Sequence, residues 1–95
     1  MCFFSILMFL GKGTSSANPV EIGVQALERK HYATALRAWI PAAKMGNPRA
    51  QNNLGYAYER GLGVSQNYIQ AISWYRKAAE QGLAEAQHNL GMIYF

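Results

Sequence analysis

The stretch Ala78-Ala79-Glu80-Gln81-Gly82-Leu83-Ala84-Glu85-Ala86-Gln87-His88-Asn89-Leu90-Gly91 has an earlier counterpart in the same chain. It is Ala42-Ala43-Lys44-Met45-Gly46-Asn47-Pro48-Arg49-Ala50-Gln51-Asn52-Asn53-Leu54-Gly55, 36 residues upstream. At that shift 11 of the 28 residues from His31 to Tyr58 are identical, from Tyr32 with Tyr68 to Tyr58 with Tyr94. Leu36 with Ile72 and Trp39 with Tyr75 are conservative besides. Self-similarity at a period of this size marks a stack of equivalent supersecondary units, each burying its apolar face against the next.

Within each copy the apolar residues recur at steps of three and four, the spacing of one helix face. In the first copy Tyr32, Ala35, Leu36, Trp39, Ala42 and Ala43 form the stripe. Tyr68, Ala71, Ile72, Tyr75, Ala78 and Ala79 repeat it in the second. Gly46 and Gly82 stand where such a helix stops, because glycine takes the left-handed C-terminal position without a Cβ penalty. A second helix follows in each copy, from about Pro48 to Glu59 and from about Ala84 onward, with Asn47 and Pro48 as N-cap and first helical residue. Each copy is thus a helical hairpin. The alanine pairs and the mid-helix Gly55 and Gly91 point to close helix crossings, since an interior glycine costs about 1 kcal/mol relative to alanine and needs packing to offset it. Trp39, Trp74, Tyr58, Tyr75 and Tyr94 are expected to fill the space between hairpins.

Working outward, Gly61-Leu62-Gly63-Val64-Ser65-Gln66-Asn67 reads as the connector between copies, with Asn67 capping the next helix and Val64 plugging the core. Its glycines follow a helix, not a strand, and lack the third member of a dinucleotide loop. Upstream, Asn18-Pro19-Val20-Glu21 has an N-cap, a proline at the first helical position and a Glu suited to a capping box. The predicted organisation is an apolar leader over 1–17, an N-terminal helix over 18–30, one repeat over 31–66 and a second, incomplete, over 67–95. The leader's run Cys2 to Leu10 is about half the roughly 20 residues that cross a bilayer as a helix, so no transmembrane span is expected. Its length suits the core of a secretory signal, with Ser15-Ser16-Ala17 as a cleavage site, although no Lys or Arg precedes it. The alternative is a leader that packs on the first helix. Cleavage would place the protein in the periplasm or outside the cell; retention would leave it in the cytoplasm. Gly11-Lys12-Gly13-Thr14 lacks the spacing of a phosphate loop.

Composition narrows the chemistry. The 95 residues carry nine Lys and Arg against five acids, a net charge of +4, with 51% hydrophobic residues. All five acids are Glu, and the one cysteine is Cys2, which excludes Asp-dependent triads, an internal disulfide framework and a cysteine-built zinc site. Ser73 is followed three positions later by Arg76 and Ser65 by Tyr68, so no Ser-x-x-Lys nucleophile is present. His31 and His88 read as surface histidines; Glu85 and His88 share a helix face but lack a second ligand pair. No catalytic, cofactor-binding or metal site is expected, and no cofactor. The basic residues are scattered and the aromatics occupy repeat positions, which argues against a nucleic-acid surface.

The second copy, Ala71-x-x-Trp74-Tyr75-x-x-Ala78-Ala79-x-x-Gly82-x-x-x-Ala86-Gln87-x-Asn89-Leu90-Gly91-x-x-Tyr94, with the Gly61-x-Gly63-Val64 turn before it, resembles the Sel-1-like repeat, a relative of the tetratricopeptide repeat. The resemblance covers about residues 20 to 95. Copy one departs from it at Ala38, where the pattern prefers a bulky residue, and at Pro41, which removes a backbone donor inside a helix and should bend it. The resemblance implies an all-α fold, a right-handed alpha-alpha superhelix of the tetratricopeptide type, in a short or truncated member. It also implies an adaptor, in signalling, quality-control or bacterial envelope settings. Some members have cysteine-paired repeats linked to β-lactam binding or hydrolysis; the cysteine pairs are missing here.

The function expected is a non-catalytic scaffold that binds a peptide or helix of another protein, an acidic one given the basic balance. Arg37, Lys44, Gln70, Ser73 and Lys77, polar residues on the first helices of the two copies, are the candidate partner-binding surface, set against the plainer reading that they are solvated helix faces. The alternatives are a truncated structural fragment of a longer repeat protein, or a β-lactam-interacting hydrolase.

Overall fold

The structure, a computed structural model, describes residues 18–94. The leader over 1–17 and the terminal Phe95 lie outside the described residues. Five helices follow one another: α1 Pro19–Glu28, α2 Tyr32–Lys44, α3 Pro48–Arg60, α4 Tyr68–Glu80 and α5 Ala84–Tyr94. The described residues are all-α, and each helix packs on its neighbours in sequence. Only the connector between α3 and α4 is longer than a tight turn, as the repeat pattern requires.

Asparagine starts three of the helices. Asn18 Oδ1 accepts the Val20 N–H at 2.8 Å, Asn47 Oδ1 those of Arg49 and Ala50 at 2.9 and 3.1 Å, and Asn67 Oδ1 that of Gln70 at 3.0 Å. Each satisfies donors that the first turn leaves without partners. The helix α2 continues through Pro41 to Lys44. Its end repeats at α4: Asn47 N–H reaches Ala42 O at 3.0 Å and Leu83 N–H reaches Ala78 O at 3.2 Å, the long closing bond of a Schellman turn. The helix α1 stops at Glu28, two residues before the predicted Lys30, through the same turn, with His31 N–H on Ala26 O at 2.8 Å. Lys30 is left at φ 63°, in the left-handed region that Gly46 and Gly82 occupy elsewhere.

The core lies along the joints between helices. Trp39 and Tyr75 are its largest fully buried side chains. Trp39, with Ala26 and Ala35, joins α1 to α2, and its indole N–H donates to Val20 O at 3.2 Å. Leu36, Ala43, Ala50, Leu54 and Ala57 join α2 to α3, with Val64 and Trp74 packed against them. The tightest joints are α3 on α4 and α1 on α2, although sequence grouping pairs α2 with α3 and α4 with α5. The reason is a glycine under an aromatic ring. A Cβ on Gly55 would lie 2.7 Å from Tyr75 Cδ1 and 3.1 Å from Ala71 O, and one on Gly23 would collide with the Trp39 indole. Gly91, the repeat equivalent of Gly55, was expected to make a crossing of this kind. Among the described residues it makes none, with nothing within 4 Å of an added Cβ. Tyr94 was expected to be buried and is 60% exposed, its hydroxyl held by Arg76 Nη2 at 2.6 Å. Both residues sit on the outer side of α5, where no described helix follows.

The repeated Ala-Gln element has a structural role. Gln51, buried, donates from Nε2 to Ala43 O at 3.1 Å, and Gln87 makes the same bond one period later, to Ala79 O at 3.2 Å. Each glutamine ties the second helix of a hairpin to the end of the first, as a second donor to a carbonyl that already accepts the Gly46 or Gly82 N–H. Gln81 Nε2 adds a link between repeats, reaching Gln51 Oε1 and Gly46 O, each at 2.9 Å.

Candidate functional site

The exposed chemistry falls on two sides of the stack. On one, α2 carries Arg37 and Lys44, and α4 carries Gln70, Ser73 and Lys77. All five are exposed, because the stripes that begin at Tyr32 and Tyr68 direct the opposite faces of these helices inward. Ser73 and Lys77 come together along a shallow groove of about 420 Å³ with Ile69, Ile72, Arg76 and Glu80. Gln70 and the two α2 residues line other ground and do not join that groove. Arg37 and Lys44, seven residues apart, share one side of α2 two turns from each other. Ile69, 80% exposed, gives the α4 groove an apolar edge.

This face presents two cations, Arg76 and Lys77, beside isoleucine side chains. The Lys77 ammonium stands 5.8 Å from the centroid of the Trp74 ring, a cation–π arrangement, and Ser73 has no described hydrogen bond to it. A lysine that activated a serine would have to hold its amine against the hydroxyl. The phenol of Tyr75 is the group whose ionisation is displaced most. Burial, then a hydrogen bond from its hydroxyl to Glu59 Oε1 at 2.7 Å, raises it far above the ordinary tyrosine range. It is therefore a neutral donor at physiological pH, tying α4 to α3. Among the described residues no group of three or more His, Cys, Asp or Glu is placed to hold a metal ion. His31 and His88 are both exposed. No described helix is long and apolar enough to cross a membrane.

The second side was not singled out by sequence reasoning. There α1, α3 and the start of α5 converge on a cleft of about 110 Å³ lined by Val20, Val24, Arg49, Asn52, Asn53, Leu83 and Glu85. A neighbouring depression on α1, which shares Val20, Val24 and Arg49 with it, adds Glu21 and Glu28. Asn89 Nδ2 donates to Asn52 Oδ1 at 3.0 Å across the repeat boundary. This side is polar but of mixed charge, with Arg49 among three glutamates. Its signal in the sequence was the run of polar residues Arg49, Asn52 and Asn53 between the apolar positions of α3. Their convergence with α1 and α5 depends on the stacking angle and is not a property of any one helix.

Comparison with known proteins places this architecture. The family model described as Sel1 repeat matches residues 48–83 and 84–95. Its units have the 36-residue period found above but begin at α3 and α5, so they group α3 with α4, the tightest pair in the structure. The crystal structure of a Sel1 repeat protein from Oxalobacter formigenes superposes with a TM-score of 0.71 at 46% identity, over 76% of this chain and 30% of that one. The chitin synthase regulator SKT5 of Saccharomyces cerevisiae is 40% identical over 57 residues, 60% of this chain and 8% of that protein. The chain thus spans less than a third of the length of either relative.

Proposed function

The chain belongs to the Sel1 repeat family, whose helical stacks are typically protein-interaction modules, and from that premise we propose that it is a non-catalytic scaffold that binds an acidic peptide or helix. The proposed contact surface is the α2 and α4 side, with Arg37, Lys44, Gln70, Ser73 and Lys77. The observation that carries the reading is the α4 groove, where exposed Ile69 and half-buried Ile72 lie beside Arg76 and Lys77. Apolar area supplies affinity there and the two cations orient a partner of opposite charge. Arg37 and Lys44 add exposed cations on α2, outside that groove. The Lys77 side chain, lying near Trp74, is partly ordered before binding and so loses less freedom on forming a contact.

Fluorescence anisotropy with a labelled, glutamate-rich amphipathic peptide tests this. Binding should weaken with added salt, and Arg37→Glu and Lys77→Glu should each weaken it about tenfold, the effect of losing roughly 1.4 kcal/mol. Equal binding by the parent and both variants, or equal binding of a lysine-rich peptide, would refute it. Steady turnover of a β-lactam such as nitrocefin by pure protein would contradict the non-catalytic assignment.

A second reading, a structural unit of a longer repeat protein, is favoured by the open side of α5. Gly91 lies bare there, and Met92 and Tyr94 are 63% and 60% exposed. Adding one further Sel1 repeat after α5 should raise the unfolding midpoint if that side is an interface between repeats, and leave it unchanged if it is a finished surface.

A further inference from the structure

We propose that an apolar groove at the N-terminal end of the stack is the seat of the chain's own residues Phe3–Leu10, so that the protein caps its first repeat with its leader. The groove, about 680 Å³, is lined by Pro19 and Ile22 of α1 and by Ala38, Pro41, Ala42 and Met45 along α2 and its end. Its lining contains no charged residue, yet it opens to solvent, with Ile22 37% and Met45 87% exposed.

The internal repeat shows what makes this place unusual. One period later, the equivalents of Ala38, Pro41 and Met45 are Trp74, Lys77 and Gln81. In copy two, therefore, the same side of the helix carries a bulky ring and two polar groups. Trp74 packs, half-buried, against the core of the preceding hairpin. Copy one has an alanine where that ring would stand, which hollows the groove, and a proline and a methionine where the polar groups would stand, which make it apolar. The groove is thus the joint that Trp74 closes, displaced by one repeat to the end of the described stack and left without a partner there.

The leader matches it in character, length and reach. Residues 1–11 contain no charged side chain, and Phe3, Phe4, Ile6, Leu7, Met8, Phe9 and Leu10 fall within eight positions. Docking these residues in an uncharged lining leaves no ion to be stripped of water. Ala38 to Met45 covers about two helical turns, roughly 11 Å, and eight residues cover about 12 Å as a helix or about 26 Å extended, enough to follow it in either form. Pro19 stands on the groove, so the chain enters α1 at its edge. The linker Gly11–Ala17, with two glycines and two serines, is long enough at about 23 Å to fold back onto it.

The lone cysteine makes the test direct. A nitroxide on Cys2 of the full chain should broaden the methyl signals of Ile22 and Met45 several-fold while sparing that of Met92 on α5. Installing the copy-two residues, as Ala38→Trp or, where that variant does not fold, as Pro41→Lys with Met45→Gln read at the Ile22 methyls, should abolish the difference. Several outcomes overturn the proposal. They are broadening that does not distinguish Met45 from Met92, a difference that survives both variants, and purified chain that begins after Ala17. Broadening seen only between spin-labelled chains and separate isotope-labelled chains would assign the groove to a second copy instead.

Discussion

Gly55 and Gly91 occupy the same place in successive repeats, and the same substitution should act on them with opposite sign. Replacing glycine by alanine inside a helix stabilises it by about 1 kcal/mol through backbone entropy. At Gly55 the new methyl meets Tyr75 Cδ1 at 2.7 Å and Ala71 O at 3.1 Å. Neither neighbour yields easily: the Tyr75 ring is fully buried and tethered to Glu59, and the carbonyl belongs to the backbone of α4. Overpacking of this kind costs about 1–3 kcal/mol, and the rigidity of both neighbours puts it at the upper end. Gly55→Ala should therefore lose about 2 kcal/mol net, a fall of roughly 8–16 °C in Tm for a domain of this size. At Gly91 the methyl meets nothing within 4 Å. Its position near the end of α5 limits the gain to about 0.5 kcal/mol. Urea unfolding followed by circular dichroism and by tryptophan fluorescence reads both variants. A Gly55→Ala protein as stable as the parent would show that the α3 and α4 joint is not closed by the glycine and tyrosine contact, and the packing account would fail. A destabilised Gly91→Ala would show that the outer side of α5 is covered.

Lys30 holds the left-handed position of a Schellman turn, so Lys30→Gly should raise stability by about 0.5–1 kcal/mol in the same urea assay, and Lys30→Val should lower it. Gln51→Leu removes one of two donors to Ala43 O and one of two acceptors of Gln81 Nε2, and should cost about 1 kcal/mol, whereas Gln87→Leu, at the exposed equivalent, should cost less than half as much. The raised Tyr75 phenol makes folding stability full below the ordinary tyrosine value near 10 and progressively lost as pH climbs beyond it. Tyr75→Phe should flatten that alkaline limb, and in the parent the Tyr75 phenolate should appear in the ultraviolet spectrum only as the chain unfolds.

Much of the fold was legible because its determinants are local. Asn47 and Asn67 cap helices as their positions beside Pro48 and Tyr68 suggest, and Gly46 and Gly82 take positive φ where the apolar stripes end. The 36-residue period identified equivalent positions but not which copies are covered: Gly55 and Gly91 are identical in sequence and opposite in surroundings. Lys30 escaped notice because side-chain identity argues for glycine at a left-handed residue, while three hydrogen bonds at the end of α1 impose that conformation on a lysine. The role of the Ala-Gln element needed a third coordinate, since Gln51 and Ala43 meet only when α3 folds back on α2. For the candidate surface, helical spacing separated Arg37, Lys44, Gln70, Ser73 and Lys77 from the core correctly, as all five are exposed. It said nothing of which polar sides converge, and so passed over the cleft around Arg49, where three helices contribute.

Those two sides provide the most direct test of the functional reading. Backbone amide shifts of the isotope-labelled protein, followed during titration with the glutamate-rich amphipathic peptide, report where it docks. The scaffold account predicts saturable changes clustered at Arg37, Lys44, Gln70, Ser73 and Lys77, with little movement on α1 and α3. Changes centred instead on Arg49, Asn52 and Asn53, or none at any concentration, would contradict it.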